Sequence, residues 1–100
     1  MIIYNVTINI EHSVHDEWLQ WMREVHIPEV METGFFTEHR MLKVLDEEDN
    51  GGATYSVQYY CDSMEDYLLY KELHAPALQA KSLEKYKDKF IGFRTLLEVL

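Results

Sequence analysis

Residues 2 to 10 alternate strictly. Ile2, Tyr4, Val6, Ile8 and Ile10 fall on one side of an extended chain, and Ile3, Asn5, Thr7 and Asn9 on the other. The pattern predicts a strand with one core face. The spacing then becomes helical. Val14, Trp18, Trp21, Met22 and Val25 predict a helix over about 14–26, with Ser13 as its N-cap and Asp16 in its first turn. Pro28 is placed to open a second short helical turn over 29–33, and Gly34 to end it. A second strand is expected over 35–45. An acidic hairpin loop follows over 46–52, with Asn50-Gly51 at its tip.

The third strand, 53–61, sets Tyr55, Val57, Tyr59 and Cys61 against Thr54, Ser56, Gln58 and Tyr60. Ser63, followed by Glu65 and Asp66, predicts the cap of another helix carrying Met64, Tyr67, Leu68 and Leu73. Ala75-Pro76 interrupts that helix, which resumes to about residue 89. Residues 91–100 close the chain as a fourth strand, with Phe93, Leu97 and Val99 opposite Arg94, Leu96 and Glu98. The order is βαββαβ, and its two halves echo one another. Residues 4–8 resemble 55–59, and His26-Ile27-Pro28 resembles His74-Ala75-Pro76.

This order predicts an α+β, ferredoxin-like fold: a four-stranded antiparallel sheet with both helices on one face and the first and third strands central. The open face then presents Asn5, Thr7, Asn9, Ser56, Gln58 and Tyr60. Each amide or hydroxyl buried there without a partner costs about 1–3 kcal/mol, so these groups must meet water, a ligand or one another.

The whole chain resembles the dimeric α/β-barrel superfamily, whose small subunits pair sheet against sheet. Within it, the run from Trp21 to Phe36, WMREVHIPEVMETGFF, is similar to an uncharacterised domain-of-unknown-function family. The resemblance implies a homodimer around an interior pocket. It carries no catalytic residue, because the superfamily spans cofactor-free monooxygenases, haem-degrading enzymes, isomerases and stress-induced proteins on one scaffold.

One hundred residues suit a single domain, 1–100. Eighteen acidic against nine basic residues, a net charge of −9, oppose binding to nucleic acid or to an anionic membrane. The sole cysteine, Cys61, allows no internal disulfide, and the apolar opening segment is too short to span a bilayer and has no basic start. A cytoplasmic protein is expected. Phosphate loops, nucleophile elbows and Cys-x-x-Cys pairs are missing from the sequence, and no cofactor is expected.

Candidate chemistry is confined to a few groups. The open-face polar set, with His39 or Arg40 and Arg94 at its edges, is the leading ligand-binding candidate. The alternative is a hydrated dimer interface with no ligand. His26 and His74 suit either acid–base or ligand-binding work or, more simply, helix C-terminal capping. His12, His15 and Asp16 lack a remote fourth ligand, so no metal site is expected. The sequence thus points to a homodimeric small-molecule-binding protein with its site between paired sheets. A cofactor-independent enzyme is one form of it, and a non-catalytic dimerisation or regulatory module is the alternative.

Overall fold

A computed structural model of the chain describes residues 1–46, 48 and 50–100. Four strands, β1 (Ile2–Glu11), β2 (Glu38–Lys43), β3 (Gly52–Cys61) and β4 (Phe90–Glu98), form one antiparallel sheet in the order β2-β3-β1-β4. The helices α1 (His15–Trp21), α2 (Ile27–Glu32), α3 (Met64–Leu73) and α4 (Ala75–Tyr86) cover one of its faces. This is the expected ferredoxin-like arrangement. Of the acidic loop, Glu47 and Asp49 lie outside the described residues.

The central pair is β1 with β3, in a register that sets Tyr4 opposite Tyr59, Val6 opposite Val57 and Ile8 opposite Tyr55 beneath the helices. Tyr4 packs against Phe36, Tyr59, Tyr67 and Tyr70 with ring centroids 5.2–6.1 Å apart. Trp18, Met22, Val30 and Leu78 complete this core from the helical side.

Two helix termini follow local chemistry closely. Ser63 accepts the Asp66 N–H at 3.2 Å and caps α3 as predicted, and Gly34 ends α2 at φ 83°. Ser13 does not cap α1. It lies in a 3₁₀ turn, His12–Val14, and its hydroxyl donates to Glu11 Oε1 at 2.8 Å. Pro28 stands in the first turn of α2, as expected, though no break precedes it. A π-helical turn, Met22–His26, joins α1 to α2. Proline lacks an N–H and its ring clashes with the carbonyl four residues back, here that of Glu24, and the wider turn lets the helix pass through Pro28.

The fourth strand corrects the expectation from its alternation. Pairing with β1 puts Val6 opposite Arg94 and Thr7 opposite Phe93. Arg94 therefore faces the helices, while Ile91, Phe93 and Leu97 lie on the open face, 78%, 60% and 41% exposed. In β2, His39 pairs with Tyr59 and Arg40 with Gln58, so Arg40 shares the open face and His39 does not.

Gly52, where β3 begins opposite Glu11, is buried against the end of β1. A Cβ there would stand 2.6 Å from the Ile10 carbonyl oxygen and against the Asn9 carboxamide. Gly52→Ala is expected to destabilise the chain by about 1–3 kcal/mol. Urea unfolding of the two proteins measures the difference.

Candidate ligand cavity between sheet and helices

The open-face polar set comes together as a network from Thr7 to Tyr60, with Asn9 bonded beside it. Asn5 Nδ2 donates to Thr7 Oγ1 at 3.1 Å, Ser56 Oγ donates to Asn5 Oδ1, and Gln58 Nε2 to Ser56 Oγ at 3.5 Å. The Tyr60 hydroxyl donates to Gln58 Oε1 at 3.0 Å, and Asn9 Nδ2 to Thr54 Oγ1 at 2.9 Å. These groups thus meet one another. Around them the open face carries exposed apolar side chains, Ile91, Phe93 and Leu97 on β4 and Leu42 on β2.

The enclosed space lies on the opposite side of the sheet. A cavity of about 250 Å³ sits between the sheet and the helices, with Tyr4, Trp18, His26, Tyr59, Tyr86 and Arg94 among its walls. Val6, Ile8 and Val57 form its apolar floor. Arg94 is solvent-accessible and stands at its mouth, and its Nε–H donates to the Tyr4 hydroxyl at 2.9 Å. No carboxylate of the described residues lies within ion-pair distance of this guanidinium. Beside it Gly92 also lines the cavity, and a Cβ there would stand 3.2 Å from the Thr7 carbonyl oxygen and 3.6 Å from Ile8 Cγ1.

His26 reaches the cavity from the π-helical turn. Its ring stacks on Trp21 at 4.9 Å, and Trp21 in turn meets the edge of Tyr86 at 5.5 Å. His26 Nδ1 and the Tyr86 hydroxyl are buried with no hydrogen-bond partner among the described residues. Burial pushes the His26 pKa down to about 4; Glu29 opposes that shift and Lys81 adds to it. The imidazole is therefore neutral at pH 7. Burial likewise holds the Tyr59 and Tyr70 hydroxyls well above the ordinary tyrosine range, so they remain protonated.

His74 takes a different position from its echo in the first half. It sits between α3 and α4, 5.7 Å from Phe35 and 6.4 Å from Tyr70 between ring centroids, and is not a cavity wall. His15 holds the start of the helical layer to the sheet. Its Nδ1 lies 2.8 Å from Asp16 Oδ1 and its Nε2 2.6 Å from the Tyr55 hydroxyl, so both nitrogens engage protein groups. Cys61 is buried, its thiol donates to the Ser63 carbonyl at 3.4 Å, and burial raises its pKa.

Tyr4, Trp18, Tyr86 and Gly92 were not among the residues singled out from the sequence as binding groups. Aromatic side chains at core spacing read as packing, and in the structure they both pack and enclose space. One signal was available. Gly92 and Arg94 share a parity on β4, which places a missing side chain beside a cation.

The model of one family, described as a domain of unknown function, DUF4286, matches residues 1–100. The chain belongs to the DUF4286 family. No curated protein matches it. Its fold is shared with a dimeric ferredoxin-like protein from an uncultured marine organism (TM-score 0.72, 17% identity, covering 100% of this chain and 95% of that one). It is shared too with an ethyl tert-butyl ether (EthD) family protein from Bacillus halodurans C-125 (TM-score 0.69, 8% identity, 100% of both chains). A third similar structure is SnoaB, a cofactor-independent oxygenase from Streptomyces nogalater (TM-score 0.65, 12% identity, 98% of this chain and 92% of that one). At these identities the likeness of the three structures to this DUF4286 chain is one of fold. No helix of the described residues is long and apolar enough to cross a membrane.

The buried imidazole sets a pH dependence. The unfolded chain protonates His26 near 6.5 and the folded chain only near 4, so its contribution is neutral above that window and destabilising as pH falls through it. His26→Gln is expected to lose about 2 kcal/mol less stability than the parent between pH 7 and pH 4.5. Urea midpoints at the two pH values measure this.

Proposed function

We propose that the chain is a one-domain, homodimeric, small-molecule-binding protein of the cytoplasm. In this reading the ligand enters the cavity between helices and sheet, and the open sheet face pairs with a second copy. The observation that carries it is the cavity itself, with aromatic walls, an apolar floor and, at its mouth, a guanidinium that donates to Tyr4 and has no carboxylate partner among the described residues. Such a combination of apolar walls and a few convergent polar groups characterises ligand sites.

The open face supports pairing. Its polar centre is already hydrogen bonded within the chain, while Ile91, Phe93 and Leu97 expose a strip of apolar surface beside it. A second sheet laid on it would remove that strip from water without stranding the amides. The dimeric ferredoxin-like protein of the same fold supports the same assembly.

Catalysis has weaker support than binding. SnoaB is described as a cofactor-independent oxygenase, but proton transfer is most effective from a group whose pKa lies near the working pH. Here His26 is pushed far below neutrality and Tyr59 and Tyr70 far above it. These groups suit neutral hydrogen bonding. The self-satisfied polar network favours a second reading, a dimerisation or regulatory module that binds nothing.

Neighbouring substitutions on β4 separate the two functions, because Gly92 faces the cavity and Phe93 the open side. Native mass spectrometry of the parent is expected to show a dimer carrying bound mass that denaturation releases. Gly92→Leu should keep the dimer and lose that mass. Phe93→Glu should weaken the dimer by roughly 30-fold or more, the effect of losing a buried interface anchor. A parent that is monomeric at micromolar concentration, or a Gly92→Leu dimer that retains the ligand, overturns the proposal.

A further inference from the structure

Gln79, Ser82 and Leu83 on α4 and Phe90, Gly92 and Arg94 on β4 line the cavity and are half-buried or exposed, so it opens to solvent between these two elements. The three α4 residues share a helix face by their spacing, and the three β4 residues pair with Ile10, Ile8 and Val6 on the covered side of the sheet. This opening is chemically graded along the strand. Arg94 stands at one end and Phe90 at the other, about 13 Å away between Cα atoms at the ordinary strand rise. Gly92 lies between them without a side chain, and the Phe90 ring leans toward it, with Cδ2 only 3.9 Å from where a Cβ on Gly92 would be.

The charge pattern is equally one-sided. The chain has eighteen acidic residues, yet among the described residues no aspartate or glutamate lines the cavity. Arg94 donates through Nε to the Tyr4 hydroxyl, which fixes the plane of the guanidinium, and its two Nη groups have no partner among the described residues.

We infer that this opening takes a planar aromatic monocarboxylate, with the carboxylate on Arg94 and the ring over Gly92 against Phe90 and Leu83. The inference rests on the cavity being a ligand site, as proposed above, and names the class of ligand. A carboxylate accepts from both Nη groups in parallel, the geometry a fixed guanidinium offers best. The net charge of −9 repels anions at long range, but salt screens that field beyond about 8 Å, and at contact no carboxylate of the cavity competes. Away from Arg94 the accessible walls are apolar at Phe90 and Leu83 and neutral at Gln79 and Ser82, so a second anion there would lose its water without gaining a cation. A flat ring meets the Phe90 ring and the bare backbone of Gly92. Size agrees, since a cavity of about 150 Å³ accepts benzene. About 250 Å³ suits one substituted ring or a fused pair.

Isothermal titration calorimetry at pH 7 with four probes on one ring system tests this: 2-naphthoate, 2-naphthamide, 2-naphthylmethylamine and 2,6-naphthalenedicarboxylate. The monoacid should bind about 10-fold or more tighter than the amide, the range of a charge-assisted hydrogen bond, and the amine and the diacid should bind no better than the amide. Arg94→Met should weaken 2-naphthoate about 10-fold or more and leave the amide within about 2-fold. Arg94→Lys keeps the charge without the planar fork and should recover only part of that loss. Both variants replace an exposed side chain and should fold as the parent does. If acid and amide bind alike, or Arg94→Met weakens both equally, the ligand class is wrong while the cavity remains a site. If Gly92→Leu binds 2-naphthoate as well as the parent, the cavity reading falls and the inference with it. If none of the four binds, native mass spectrometry separates the two failures: bound mass retained by the parent and lost in Gly92→Leu overturns the class alone, and no bound mass overturns both.

Discussion

Everything in this molecule depends on how the two central strands divide their side chains. With Tyr4 opposite Tyr59 and Asn5 opposite Gln58, each residue of β1 and its neighbour across β3 belong to the same face. One face is aromatic and aliphatic and lies under the helices; the other is amide and hydroxyl. A slip of one residue would exchange them, driving carboxamides into the core and tyrosine rings into the open. The network from Thr7 through Asn5, Ser56 and Gln58 to Tyr60 adds a second penalty, since a slip separates these donors and acceptors while they remain partly buried. The hydrophobic face and the polar network thus specify one register from opposite sides of the sheet.

The same division separates assembly from ligand binding. Neighbouring residues of β4 face opposite ways, so Phe93 lies on the surface offered to a second sheet while Gly92 and Arg94 face the helical layer. The helices do not cover this edge strand, and the space they leave beneath them is the cavity. Its inner end owes its character to Pro28. By forcing a π-helical turn just before itself, the proline leaves His26 within the helical layer, where low polarity keeps the ring neutral.

Much of the architecture was legible along the chain. Alternation and helical spacing identified four strands, the helices and their order, and Ser63, Gly34 and Pro76 marked termini for reasons of backbone chemistry that operate locally. The polar set of Asn5, Thr7, Asn9, Ser56, Gln58 and Tyr60 was also recognisable as one face. Ser13 was misread because a capping pattern competes with other local bonds, and Glu11 offered its hydroxyl a partner two residues away. Arg94 was assigned to the wrong face, and the choice between His39 and Arg40 stayed open, since alternation in an edge strand says which residues are together and not which side is covered. For β4 the more apolar side is the one turned away from the helices.

His26 and His74 show the limit most clearly. Their sequence contexts match, yet one ring lines a cavity beside Trp21 and Tyr86 and the other lies against Phe35 and Tyr70. Sequence by itself determined the elements, their order and the two-sided character of the central strands, because hydrophobic period and backbone preference are properties of neighbouring residues. Tertiary structure alone decided which face of each edge strand is covered, how far the helical layer stands from the sheet, and which residues line the space between them. Those follow from pairing register and packing between segments distant in the chain, and no local pattern encodes a gap between two layers.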